Sequence, residues 1–372
     1  MLSTVLDIFR MRQYFNLITR VREVGQGLRE DAGLLDDARR ALVTLPFEHP
    51  AHLHPGPFAH VPPAPLEGLT GRRVALLATG GSGALASVVG AARAFEEAGL
   101  QPSVISLCSG SALFGFPIAT GMPAAEVAEF CGGLLPSDFV DVDWTGLARL
   151  LPSAARGFAG VIHGDRLEQT YRRLLGDRRL GDLAIPAYAP IWNVERNRLE
   201  YLGPRTHPDL TVARAVRMAV SLPLFLQPAE MGGLYWCDGG IVDIFPVRPV
   251  LDIEPPSDAA IAVNGFYPHR FEGEDAKGWQ EQTFSILHVA SQVRTCQQVE
   301  LARENLRRVE QAMPTVMIEP VPYEKVRGVG FYRQFLSTRE WPQFMAEGRV
   351  HTRRALRRLS RTMDRPASPA PV

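Results

Sequence analysis

Apolar residues recur along this chain with two different spacings. A three- and four-residue spacing runs from Leu2 to Val21 and predicts helix over residues 1 to about 45. The same spacing predicts two amphipathic helices later in the chain, over 292–313 and 341–363. Helices are therefore expected at both ends.

Short continuous apolar runs occupy the middle of the chain and predict buried strands. The first run, RVALLATG, ends at Gly80 and is followed by an apolar helical segment from Leu85 to Gly99. The other predicted strands lie at 102–107, 184–194, 199–203, 234–237 and 260–266. Strands that alternate with helices predict an α/β fold with a largely parallel sheet.

Two stretches without a charged residue, 74–92 and 98–125, are each long enough to cross a bilayer. Glycines at the strand end interrupt the first stretch, and prolines interrupt the second. Because the glycines fall where a strand would turn into a helix, we predict buried core elements and not membrane spans.

Composition narrows the class of protein. Apolar residues make up 46% of the chain, and 40 basic residues balance 40 acidic ones. These proportions exclude a disordered chain and a uniform polycation, so we expect no nucleic-acid partner. The four cysteines show no C-x-x-C spacing, and charged residues interrupt the apolar start of the chain, unlike a signal peptide. We therefore expect a cytoplasmic protein.

A proline-rich segment, 46–65, separates the first predicted helices from the strand region. It carries His49, His52, His54 and His60, but without a cysteine or a regular element to hold them we expect no metal site. We place an N-terminal helical extension and linker at 1–71, the main α/β domain at 72–320, and a C-terminal helical, basic extension with a disordered tail at 321–372.

Three local patterns at predicted strand ends carry the candidate chemistry. The glycine-rich turn 80–83 follows the first strand, and the amides of such a turn form an anion-binding nest. Ser109 follows the second strand among small residues, as in a nucleophile elbow. Asp238 precedes two glycines at a later strand end, from which its carboxylate can project into a cleft. Each pattern alone is more typical of a turn, but the ordered combination is specific.

These motifs, in this order, resemble those of the patatin-like phospholipase family. The segment AFEEAGLQPSVISL between the first two motifs and the segment 215–247 around the third also resemble the family pattern. The resemblance covers about residues 72–266 and implies a three-layer α/β/α sandwich with a mostly parallel central sheet. The Ser-Gly-Ser continuation of the elbow is also similar to that of cytosolic phospholipases A2.

The resemblance implies a Ser–Asp dyad in which Ser109 is the nucleophile and Asp238 the base. Ser111 is the rival nucleophile. The implied oxyanion loop consists of Gly80, Gly81, Ser82 and the backbone of Gly110. The implied activity is hydrolysis of a phospholipid, lysophospholipid or related fatty acyl ester through an acyl-serine intermediate, without a metal or other cofactor.

Three positions depart from the family pattern. Ser82 replaces the third glycine of the loop. Leu107 stands where the family has a glycine two places before the serine, and Ala84 stands where an Arg or Lys is usual after the loop. Leu107 would crowd the elbow. A catalytically weak or inactive module that binds lipid or protein is therefore one alternative, and an acyltransferase that uses the same dyad is another.

Other nucleophiles and bases are also present in the sequence. Cys108 directly precedes Ser109, although we expect Cys108 and Cys237 to point into the core. A Ser-His-Asp triad would need a histidine, but none of the candidates lies in a matching context. These candidates are His163, His207 and His288.

The charge balance conceals an uneven distribution. Residues 1–29 contain five arginines and two acidic residues, and residues 349–372 contain seven arginines and one acidic residue. The body between them is acidic. The basic ends predict either contact with an anionic membrane surface or pairing with that body, and both interpretations remain open.

Overall fold

The structure is a computed structural model that describes residues 62–149, 157–266, 285–326, 334 and 337–364. The predicted helix over 1–45, the four histidines of the proline-rich segment and the tail beyond 364 lie outside the described residues.

The chain divides into two compact units. The smaller comprises Met1–His52 and Arg270–Gln297, of which the structure describes only residues 285–297, in a helix. The larger comprises Leu53–His269 and Gln298–Val372, and it contains all the motifs above. The domain boundaries expected from sequence stay a prediction.

Ten strands are present among the described residues. They are β1 Val74–Gly81, β2 Ile105–Ser106, β3 Gly160–Ile162, β4 Ala187–Asn193, β5 Arg198–Leu202, β6 Leu224–Leu226, β7 Ala229–Met231, β8 Leu234–Asp238, β9 Ala259–Gly265 and β10 Thr315–Ile318. The main sheet has the order β10-β9-β1-β2-β4-β8-β7, with β5 also paired to β4. Strands β10 to β4 run parallel, whereas β5, β7 and β8 are antiparallel to their neighbours. Strands β3 and β6 form a separate parallel pair.

The helices include several that the apolar pattern predicted. They are α1 Ser87–Glu97, α2 Gly110–Ala119, α3 Ala124–Gly133, α4 Trp144–Arg149, α5 Asp165–Leu175, α6 Val212–Ala219, α7 Ser285–Ala312, α8 Tyr323–Val326 and α9 Trp341–Met363. No described helix has the length and apolar character that a membrane span requires. The two uncharged stretches instead form strands and helices of the core, as predicted.

The sheet separates two apolar cores, because alternate residues of a strand point to opposite faces. Leu76 and Ile105 pack with α1, α2, α6 and α9 on one face. Leu77 and Ala262 pack with the part of α7 after residue 298 on the other face. The mostly parallel sheet with helices on both faces confirms the predicted three-layer α/β/α architecture.

Helix α9 is joined to α1 by a cluster of charges, which we call the Glu97 cluster. The carboxylate of Glu97 lies 2.7 Å from Arg349, 3.3 Å from Arg93 and 3.7 Å from Arg353. The two helices approach closely because Gly90 and Gly348 face the partner backbone, where a Cβ would collide. The C-terminal helix is thereby fixed to the main core.

Candidate active site

Ser109 lies at the sharp turn between β2 and α2, where its backbone is strained. Its φ is +51° and its ψ is −125°, and the other described non-glycine residues with positive φ are Asn197 and Leu224. Such a conformation costs about 1–3 kcal/mol and persists only where the surrounding structure enforces it. Ser109 is 5% exposed, and its turn has the geometry of a nucleophile elbow.

Ser111, the rival nucleophile, is used to hold this turn. Its hydroxyl donates to the carbonyl of Cys108 at 2.8 Å and accepts from the amide of Cys108 at 2.7 Å. The residue is fully buried. Of the two serines, Ser109 is therefore the one that is partly accessible and free of this structural role.

The sequence suggested that Leu107 would crowd the elbow, but in the structure it does not. Its side chain is fully buried on the α2 side of the sheet. It contacts Gly115 of α2, where an added Cβ would collide with the Leu107 side chain. A glycine on the facing helix thus accommodates the leucine that replaces the family's glycine.

The glycine-rich loop packs directly on the first turn of α2. A Cβ added at Gly110 would collide with the carbonyl oxygen of Gly81 and lie 3.0 Å from that of Ser82. The loop is anchored from behind, since the amide of Gly80 donates to the carbonyl of Ile244 at 2.7 Å. The amides at a helix N-terminus have no partner within the helix, so this junction suits a negative charge.

Asp238 ends β8, which approaches the elbow from the opposite direction. Strand β8 pairs with β4 over Ile191 to Asn193, while β5 pairs with the same residues on the other edge. Strand β2 pairs with the same edge of β4 as β8 does, but earlier along β4, at Ala187 and Tyr188. The C-terminal ends of β2 and β8 therefore face each other. Pro190, which lacks an amide hydrogen, lies in β4 between the residues that pair with β2 and those that pair with β8.

The contacts of Asp238 fix it beside the elbow. Its amide donates to the carbonyl of Ser221 at 2.9 Å, and its Oδ1 accepts from the amide of Gly240 at 2.7 Å. A Cβ added at Gly240 would lie 3.0 Å from this Oδ1 and 2.6 Å from Sγ of Cys108, the residue before Ser109. The fold thus brings the three sequence motifs together.

The two cysteines beside the candidate residues are buried in the core, as expected. Cys108 belongs to the core on the α7 side of the sheet. Burial is the main cause that raises the pKa of its thiol, and the charges of Asp238 and Asp243 raise it further. Burial also raises the pKa of Cys237 to about 12. Both thiols are therefore protonated near neutral pH and are poor nucleophiles.

The histidines make their contacts with other residues. His163 contacts Gln227 at 3.2 Å and Asp143 at 3.5 Å, and His207 lies 3.8 Å from Glu200. The side chain of His288 is outside the described part of the chain. In that part, no group of three or more His, Cys, Asp or Glu residues could hold a metal ion.

An apolar pocket begins one helical turn from Ser109. Leu113 lines it from α2, and Trp341 lines it from the start of α9. Trp341 also packs edge-to-face on Phe114 at 5.1 Å between ring centroids and fills the space beside Gly83 of the glycine-rich loop. The other lining residues are Leu134, Phe139, Val140, Ile162, Leu167, Tyr171, Val220, Leu222, Phe225 and Leu226.

Residues 76–251 match the model of the patatin-like phospholipase family. This segment, just under half of the chain, is therefore similar to that family. The matched range includes all three motifs of the site, whereas Trp341 lies outside it. Sequence reasoning did not identify Trp341 as a pocket residue, because only the packing of α9 brings it to the loop.

Curated relatives are distant and match only in part. An uncharacterised NTE family protein of Mycobacterium bovis is 27% identical over 210 residues, which are 55% of this chain and 53% of that protein. The chain spans about half the length of the mycobacterial relatives it matches. A protein named lysophospholipase nte1 of Emericella nidulans is 27% identical over 190 residues, covering 47% of this chain and 11% of that protein.

Solved structures show more remote similarity. VipD of Legionella pneumophila aligns over 75% of this chain and 67% of its own, with a TM-score of 0.41 and 16% identity. Human GIVD cytosolic phospholipase A2 aligns over 78% of this chain and 62% of its own, with a TM-score of 0.41 and 11% identity.

Proposed function

We propose that this protein hydrolyses fatty acyl esters of lipids with Ser109 as nucleophile and Asp238 as base. The match of residues 76–251 to the patatin-like phospholipase family supports a lipid ester hydrolase in general terms. The strained backbone of Ser109, at the junction of the glycine-rich loop and α2, is the observation that carries the assignment. Backbone strain of this kind clusters at active sites, and hydrogen bonds between Ser111 and Cys108 hold the turn in place.

In the proposed reaction, Oγ of Ser109 attacks the ester carbonyl carbon while Asp238 accepts the hydroxyl proton. The carbonyl oxygen becomes negative, and the amides of Gly81, Ser82 and Gly110 stabilise it. Each such donor contributes about 10²–10³ in rate. The ester C–O bond then breaks, and the alcohol leaves with the proton from Asp238. Water cleaves the acyl-serine in the same manner, and Ser109 regains its proton.

The apolar pocket supports a fatty acyl substrate. Leu113 of α2, the helix that begins directly after Ser109, lines it. Its described lining is almost entirely hydrocarbon and aromatic. An acyl chain bound there would place its ester carbonyl beside the elbow. Phospholipid or lysophospholipid is therefore the proposed substrate class.

We also propose a cytoplasmic protein that contacts anionic membrane through its basic C-terminal helix. Two of the seven arginines in 349–372 pair with Glu97, as the alternative interpretation predicted. Four others are exposed on α9 and form no ion pair among the described residues: Arg354, Arg357, Arg358 and Arg361. These four are the part of the segment that remains available to an anionic surface, each contributing about 1 kcal/mol.

A long-chain alkyl fluorophosphonate tests the nucleophile directly. We expect mass spectrometry to locate the label on Ser109 in the wild type and in the matched variant Ser111→Ala. Ser109→Ala and Asp238→Asn should lose p-nitrophenyl ester hydrolysis while remaining folded.

Four results would redirect the assignment. A label on Ser111, or full hydrolysis by Ser109→Ala, would contradict the proposed nucleophile. A wild-type protein that neither reacts with the probe nor turns over ester would be an inactive binding module. Transfer of the acyl group to an added alcohol in preference to water would identify an acyltransferase.

A further inference from the structure

A buried arginine lies behind the candidate base. Arg217 belongs to α6, and it is 3% exposed. It forms no ion pair among the residues that the structure describes; Glu168, whose charge acts on it, pairs instead with Arg214 at 2.6 Å. Its neighbours on α6 are buried and mostly apolar, so the sequence places a charge on the core face of a helix.

The guanidinium holds three separate segments together. One terminal nitrogen donates to the hydroxyl of Ser221, and the other donates to the carbonyl of His163 and, at 2.8 Å, to that of Gln227. The Ser221 hydroxyl in turn donates to the carbonyl of Arg217 at 2.8 Å. The turn after α6, the end of β3 and the link after β6 are therefore fixed by a single side chain.

One of these segments also holds the candidate base. The carbonyl of Ser221 accepts the amide of Asp238 at 2.9 Å. A single residue thus separates the guanidinium from the backbone of Asp238. Val220 and Leu222, on either side of Ser221, line the apolar pocket, so the same turn supports both parts of the site.

Stability alone does not explain this arginine. Removing a guanidinium from water is costly, and its Nε has no hydrogen-bond partner in the described part of the structure. Burial lowers the pKa of Arg217, which reflects the same cost. An apolar side chain would suit the core face of α6 better if packing were the only requirement.

We propose that Arg217 is a positioning residue that holds Asp238 through the Ser221 turn. The catalytic part of this inference rests on the proposed function. The positioning itself can be measured without any reaction, through the protection of the Asp238 amide against hydrogen exchange.

The first experiment compares the wild type with Arg217→Met, which keeps an unbranched apolar side chain but removes the guanidinium donors. We expect hydrogen exchange at the Asp238 amide to become at least about tenfold faster, because the turn that accepts it loses its anchor. For ester hydrolysis we expect kcat to fall about 10²-fold with KM changed less than about threefold, as for a misplacement of about 1 Å.

Chemical rescue separates positioning from general damage. In Arg217→Ala, added methylguanidinium should restore part of kcat and of the amide protection, whereas methylammonium should not, since it lacks the planar fork of donors. If Arg217→Ala does not fold, Arg217→Lys provides the comparison. We expect Arg217→Lys to keep the charge but to recover little activity.

A second variant displaces the guanidinium without changing it. Gly164 has a φ of +84°, and a Cβ there would collide with Nε of Arg217. Gly71 has a φ of +71° and nothing within 4 Å, so Gly71→Ala is the matched control for backbone strain. Both variants should lower Tm, but only Gly164→Ala should lower kcat and the protection of Asp238.

The outcomes are distinct. Unchanged kcat and unchanged exchange at Asp238 in folded Arg217→Met would overturn the inference. Equal loss of kcat in Gly164→Ala and Gly71→Ala would also contradict it. If the wild type hydrolyses no ester and binds no fluorophosphonate, but Arg217→Met still exposes the Asp238 amide, the proposed function fails and the positioning role stands.

Discussion

Two buried polar regions of this molecule have opposite characters. In the Glu97 cluster, one carboxylate is surrounded by three guanidinium groups, and helices α1 and α9 are fixed together. At the elbow, the backbone of Ser109 is strained. Removing one member of the cluster would leave buried charge unpaired, whereas replacing Ser109 with glycine would relieve strain. Substitutions in the two regions should therefore separate stability from activity.

The largest expected effect is the loss of activity at the elbow. Ser109→Gly and Ser109→Ala should each lower kcat on the order of 10⁴-fold or more, because both remove the nucleophile. Ser109→Gly should be more stable than Ser109→Ala by about 1 kcal/mol, since only glycine adopts this positive φ without strain. Initial rates and urea unfolding of the pair measure both quantities. Equal stability of the two variants would mean that the elbow is not strained.

The Glu97 cluster should show the reverse. Glu97→Ala leaves three arginines without their common partner, and it should lower the free energy of unfolding by about 3 kcal/mol. Its kcat should match that of the wild type at temperatures where the variant is folded. Glu300→Ala, which removes an exposed pair with Arg303, is the control and should cost less than about 1 kcal/mol. A large loss of kcat in Glu97→Ala would connect the two regions.

A substitution at the contact between Leu107 and Gly115 should affect both stability and activity. Gly115→Ala forces a methyl group against Leu107, so it should cost about 1–3 kcal/mol. It should also lower kcat, because Leu107 lies two residues before Ser109. The double variant Leu107→Ala/Gly115→Ala should be less destabilised than the sum of the single variants. Additive free energies in this double-mutant cycle would show that the glycine does not accommodate the leucine.

The smallest effect is expected from thiol reagents. Cys296 is exposed, whereas Cys108, Cys131 and Cys237 are buried. Ellman's reagent at pH 8 should therefore titrate one thiol in the folded protein and four in denaturant, because burial raises the pKa of the three buried thiols. Esterase activity should persist after the exposed thiol is modified. Loss of activity in step with modification of the exposed thiol would contradict this expectation.

Much of the fold was accessible from the apolar pattern. Runs of buried residues and helical spacing predicted β1, β4, β9 and α9 close to their observed limits. The run over 102–107 forms a strand of only two residues, and β10 was not predicted. These elements depend on pairing with neighbours that are distant in sequence, which local periodicity does not report.

The sequence determined the three motifs and their order, because a glycine turn, a serine elbow and an Asp-Gly-Gly turn each need small residues at fixed local positions. Tertiary structure decided the rest. Only the shared edge of β4 brings Asp238 to the elbow, only Gly115 shows that Leu107 fits, and only the packing of α6 places Arg217 behind the base. These are contacts between residues far apart in the chain, and their distances are set by the sheet and not by the sequence around each residue.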